Sequence, residues 1–187
     1  MTRTFERLVP WGVAALAALV WLIPLQLGFY SDDILTDIPV YRGVFDEIAA
    51  GGVPYRDFDL EYPPLAAAIF WLAGVLPGDY GFGFSALMLG CLIATALSVV
   101  ATARAMDTTP LRRAGAGVAV AISPLLLGGM VQTRYDLALT AALGWMLWAA
   151  VTRRFGWMWT LLAAAVLIKL IPLALVPVLI IWHRHQR

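Results

Sequence analysis

Polar positions are few along this chain and fall in clusters, so the apolar runs between them outline the elements. Residues 8–30 carry no charge, and further charge-free runs cover 62–78, 80–103, 114–133, 137–152, 155–168 and 170–182. A helix rises about 1.5 Å per residue and must cross about 30 Å of hydrocarbon, so about 20 residues are needed and only some of these runs suffice alone. Between 31 and 61 the pattern changes. Tyr41, Val44, Phe45, Ile48 and Ala49 follow the spacing of one helical face, with Arg42, Asp46 and Glu47 on the other. Gly51-Gly52 stops this surface helix. Pro63-Pro64 opens a second short helix that Pro77-Gly78 ends.

The basic residues orient these runs. Arg3 and Arg7, then Arg104, Arg112 and Arg113, then Arg153 and Arg154, then Arg184 and Arg187 form clusters that the positive-inside rule assigns to the cytoplasm. The run 8–30 is longer than a signal-peptide core of about 7–15 residues and lacks a small-residue cleavage site, so it reads as a retained helix with a cytoplasmic N-terminus. Consistent crossings require spans at about 8–30, 80–103, 114–133 and 137–152, with 31–79 as one external loop. A single helix over 157–182 would bury Lys169 at its centre, at roughly 2.5–3.5 kcal/mol. A hairpin over 155–182 that bends between Lys169 and Pro172 avoids this. The chain is thus expected to be one all-α, polytopic membrane bundle over 1–187, with interfacial helices in its external loop.

Composition supports lipid as the solvent, because 61% of the residues are hydrophobic and 13% charged, against about 45–50% and about 25% in globular chains. The net charge of +1 gives no field for nucleic acid. Twelve arginines against one lysine suggest a GC-rich bacterial source. Cys91 is the lone cysteine, which excludes an intrachain disulfide and a cysteine metal site. His183 and His185 have no acidic neighbour and are not expected to bind metal.

Candidate chemistry gathers outside. Eight acids lie between Tyr30 and Pro63, in the external loop: Asp32, Asp33, Asp37, Asp46, Glu47, Asp57, Asp59 and Glu61. Asp37 is placed to cap the surface helix, with Pro39 in its first turn. A carboxylate there could also accept a proton from a substrate hydroxyl at the lipid–water boundary, and spacing alone does not choose. Lys169 is either a snorkelling side chain or a phosphate ligand. Arg134 and Asp136 read as a salt-bridged turn or as substrate ligands. Tyr41, Tyr55 and Tyr62 suit an interfacial aromatic belt better than substrate stacking. Asp32-Asp33 offers oxygen ligands to a divalent cation.

Thr36-Asp37-Ile38-Pro39-Val40-Tyr41, Gly51-Gly52-Val53-Pro54-Tyr55 and Glu61-Tyr62-Pro63-Pro64-Leu65 together resemble the first external loop of the GT-C glycosyltransferases. The likeness is nearest to the bacterial polyprenol-phosphate-mannose-dependent mannosyltransferases, and it extends to the first mannosyltransferase of GPI-anchor synthesis. Arg134-Tyr135-Asp136 and Lys169-Leu170-Ile171-Pro172, followed by Pro177, look like later blocks of the same group. The resemblance implies inverting transfer of a hexose, most simply mannose, from a polyprenyl-phosphate sugar to a lipid or glycan hydroxyl outside a bacterial plasma membrane. It implies Asp37 as general base and Lys169 with Arg134 on the departing phosphate. Asp136, Tyr41, Tyr62 and Asp33 complete the candidate substrate-binding set. No cofactor or metal is required by this chemistry.

Two features depart from the group. The GPI branch carries a D-x-D pair where this chain has Asp37-Ile38-Pro39. Family enzymes also continue with further helices, which implies an N-terminal part, or a minimal protein that needs a partner or has lost activity. The alternative class is a non-catalytic membrane subunit or transporter fragment. No inverted hydropathy repeat supports a transporter, and the acidic loop favours the enzyme.

Overall fold

The computed structural model describes residues 2–27, 36–128 and 130–185. It is all-helical, in the order α1 (Thr2–Leu27), α2 (Ile38–Ala49), α3 (Pro64–Val75), α4 (Tyr80–Ala105), α5 (Pro110–Ala121), α6 (Ser123–Leu127), α7 (Met130–Thr133), α8 (Asp136–Val151), α9 (Phe155–Ile168) and α10 (Val176–His185). A 3-10 turn, Ile171–Leu175, joins the last two. Among the described residues two helical segments are long and apolar enough to cross a bilayer, Thr4–Ile23 and Tyr80–Ala105.

Helix α4 is the hub. α1, α5 and α8 pack along it, while α2 and α3 cover its N-terminal end. Its buried Thr95, Ser98 and Thr102 donate to carbonyls of Cys91, Thr95 and Ser98 in the turns before them, so these hydroxyls need no partner from outside. Small residues let helix backbones approach where lipid gives no hydrophobic drive. At Gly83 a Cβ would stand 2.1 Å from the Ala73 carbonyl oxygen, which shows how tightly α3 lies on α4. Gly83→Ala is therefore expected to lower the thermal unfolding midpoint, at about 1–3 kcal/mol of overpacking. Gly90→Ala, on an open face of the same helix, should not lower it, and midpoints measured in detergent decide the comparison.

Helix α2 ends as its glycines predict. Gly51 has φ +94°, the Gly51 amide donates to Ile48 and the Gly52 amide to Glu47, which closes the last turn. The 114–133 run is not one continuous helix. Pro124 opens a new short helix after Ile122, and Gly128 at φ +64° ends it, so the run divides into α5, α6 and α7. At the far end of the chain, α9 stops at Ile168 and Lys169 is extended. α10 folds back on α9: Trp159 Nε1 donates to His183 Nδ1 at 3.1 Å, and His183 stacks on Phe155.

Candidate functional site

The corner between α7 and α8 sets the arrangement. Tyr135 there is 4% exposed, its ring driven into the core. Its two charged neighbours take different partners. Arg134 Nη1 lies 2.9 Å from Asp37 Oδ2, and Asp136 Oδ1 lies 2.5 Å from Lys169 Nζ. All four charged side chains are partly exposed. Lys169 Nζ also stands 5.5 Å from the centre of the Tyr135 ring, within reach of a cation–π attraction. Lys169 arrives there because α9 runs antiparallel to α8 and ends one residue before it, its last amide bond running from Lys169 to Ala165.

Asp37 stands at the N-cap position of α2, yet its side chain does not cap the helix. Thr36 Oγ1 accepts from the Ile38 amide instead, and the Asp37 carboxylate accepts from the Tyr41 hydroxyl at 3.2 Å. The capping expectation is thus replaced by a side chain aimed at Tyr41 and Arg134.

Beneath these charges lies an aromatic floor. Tyr41 stacks on Phe70 at 4.3 Å and on Phe84 at 5.3 Å, and meets Tyr62 and Tyr135 edge-on. At 1% exposure Tyr41 is core, not part of an interfacial belt. Tyr62 is half-buried over the same cluster, whereas Tyr55 is exposed and donates its hydroxyl to the Tyr62 carbonyl. Burial above all, and then the Asp37 charge, raise the Tyr41 phenol well beyond its ordinary range, and the same two causes raise Tyr62. Tyr135 is pushed up to about 12, by burial first and the Asp136 charge second. These phenols stay neutral at working pH and serve as donors and surfaces. Base chemistry at this end falls to the carboxylates.

The structure brings together Asp37, Tyr41, Tyr62, Arg134, Asp136 and Lys169. Tyr135, which touches Tyr41, Tyr62 and Lys169, was not among the sequence candidates, and its place between two opposite charges at a helix start was the available signal. Asp33 and Asp32 lie outside the described residues. Asp46 and Asp57 are spent locally, the first near Arg42 and the second on Arg56 and the Val53 amide. Beside Arg134 and Asp136 opens a cleft of about 270 Å³ whose walls are Leu127, Met130, Val131 and Leu137. Thr140 is the remaining polar group on it. The cleft thus joins two charged side chains, adjacent at the corner before α8, to four apolar ones.

Residues 60–187 match the family model of glycosyltransferase family 87. The chain belongs to that family. It is accordingly a membrane glycosyltransferase of the GT-C type, acting on a sugar donor and an acceptor. The segment that carries the family 87 match contains Tyr62, Arg134, Tyr135, Asp136 and Lys169, while Asp37 and Tyr41 precede it. No curated protein and no solved structure matches the chain.

Proposed function

We propose that this family 87 protein is a multi-pass, inverting hexosyltransferase, most simply a mannosyltransferase, that uses a polyprenyl-phosphate sugar and an extracytoplasmic acceptor hydroxyl. The observation that carries this reading is the cleft of about 270 Å³, apolar along its walls and bounded by Arg134 and Asp136. An amphiphile with a phosphate at one end and a prenyl chain at the other fits that division. A nucleotide sugar, polar throughout, does not.

In the free protein both cations are neutralised by carboxylates. The donor phosphodiester would displace them, drawing Arg134 and Lys169 to its oxygens and leaving Asp37 to the acceptor. The acceptor oxygen attacks the anomeric carbon as its proton passes to Asp37. The bond from that carbon to the phosphate oxygen breaks on the opposite face, and the electron pair leaves with polyprenyl phosphate. Charge grows on the departing phosphate, so cations already aimed at it lower the barrier. Protonated Asp37 then returns its proton to water. The route needs no cofactor or metal.

Membrane topology follows the same logic. Phe84, which touches Tyr41, and Arg104 lie on α4 at about 30 Å from one another along the axis. That is the thickness of the hydrocarbon core, and it supports the charge cluster outside with the arginine clusters inside.

The test is donor class. Membranes containing the protein are expected to transfer labelled hexose from a polyprenyl-phosphate sugar and not from the matching nucleotide sugar when synthesis of the lipid donor is blocked. Equal transfer from the nucleotide sugar under that block would reject the reading.

A further inference from the structure

At the end of α4 remote from the charge cluster, α1, α4 and α5 leave a second cleft, lined by Glu6, Val9, Pro10, Val100, Arg104 and Arg113 among others. The Arg113 side chain is only 15% exposed. Its nearest carboxylate is Glu6, at 3.9 Å from Nη1, and its Nε is fully buried with no hydrogen-bond partner. A buried charged donor left unmatched is costly, and Glu6 does not reach it. Nε itself is closed to a ligand, so the terminal nitrogens of Arg113, a residue that lines the cleft, are the donors left to receive phosphate oxygens. Arg104 lines the same cleft from the last turn of α4.

The charges set the ligand. Arg104 and Arg113 against Glu6 leave a single positive charge, which suits a monoanionic phosphodiester better than a dianion. Val9, Pro10 and Val100 add an apolar wall that a naked ion does not use. The cleft also lies about 30 Å along α4 from Phe84 beneath the charge cluster, a bilayer core away, so the donor held there does not reach it. We propose that this cleft binds a phosphodiester monoanion, supplied by the headgroup of an anionic phospholipid in the leaflet opposite the charge cluster. The site depends on α4 spanning the bilayer and not on the transferase chemistry. Anionic lipids concentrate in the cytoplasmic leaflet, the side to which the arginine clusters assign this end.

The experiment uses the full chain in detergent, titrated with phosphatidylglycerol, with phosphatidylcholine and with inorganic phosphate, and reads lipid occupancy by native mass spectrometry beside the thermal midpoint. Phosphatidylglycerol is expected to bind and raise the midpoint, and phosphatidylcholine to do neither. Arg113→Gln should weaken that binding about tenfold or more, as for loss of a charge-assisted hydrogen bond. Arg104→Gln, on an exposed side chain, should also weaken it and guards against misfolding of the first variant. An arginine-dependent effect from inorganic phosphate alone would overturn the lipid as source and leave the anion site standing. No binding, or equal binding by wild type and both variants, overturns the proposal.

Discussion

Asp37→Asn is expected, on the proposed mechanism, to lower sugar transfer by about 10²–10⁴-fold, the usual contribution of a positioned general base, while the chain stays folded. Asparagine has nearly the size of aspartate and is an equally good helix cap, and in this structure the side chain does not cap α2 in any case. Its amide oxygen can still accept from the Tyr41 hydroxyl, which the carboxylate does now at 3.2 Å. What is lost is the ion pair with Arg134. Both side chains are close to or above one-third exposed, where a pair contributes about 0–1 kcal/mol, so the thermal midpoint should move little. Beyond that pair, the loss is the capacity to take up the acceptor proton that the proposed mechanism assigns to Asp37. Transfer assays with a saturating lipid donor, run beside the midpoint, test this. Full activity in a folded Asp37→Asn protein would reject Asp37 as base, and a large fall in the midpoint would make its pair with Arg134 structural.

Much of the fold was legible because punctuation in this chain is carried by proline and glycine. Pro63-Pro64, Gly51-Gly52 and the Lys169–Pro172 bend mark boundaries that hydropathy alone would blur: α3 begins at the first, and α2 and α9 end just before the other two. The division of 114–133 was not legible from charge, since the run has none. Pro124 and Gly128 were the only local cues, and in an apolar run both are tolerated within a span. At the site, sequence supplied the residue types and structure supplied the pairing. An aspartate two residues before a proline suits capping equally with catalysis, and its partner Arg134 sits far along the chain. Tyr41 shows the same limit. A tyrosine on the apolar face of a surface helix satisfies a headgroup belt and a buried floor alike, and Phe70 and Phe84 decide between them. The signal for Tyr135 was ambiguous, because an aromatic residue flanked by opposite charges at a helix start reads as a solvated turn as readily as a buried corner.

With the proposed polyprenyl-phosphate donor, Lys169→Met is expected to raise the KM and to cut kcat/KM by about 10–100-fold, equivalent to about 1.5–3 kcal/mol for a charge-assisted contact to phosphate. The single variant leaves an ambiguity, because it also strands Asp136, now 2.5 Å from the ammonium. Asp136→Leu combined with Lys169→Met removes both members of the pair and separates the roles. If the lysine serves only to neutralise Asp136, the double variant recovers activity, since an apolar pair replaces an ion pair without leaving a lone charge. If it serves the donor phosphate, the double variant stays as defective as Lys169→Met, because no cation remains on that side of Tyr135. Arg134 would still meet the phosphate from the other side, so neither variant should abolish transfer outright. A cation at 169 is expected to matter more than its pairing, and Lys169→Arg should therefore keep most of the activity that Lys169→Met loses. Equal loss in both single variants would instead place the requirement on the shape of the ammonium in the turn after α9, with Lys169 acting as a positioning residue for Asp136 and Tyr135.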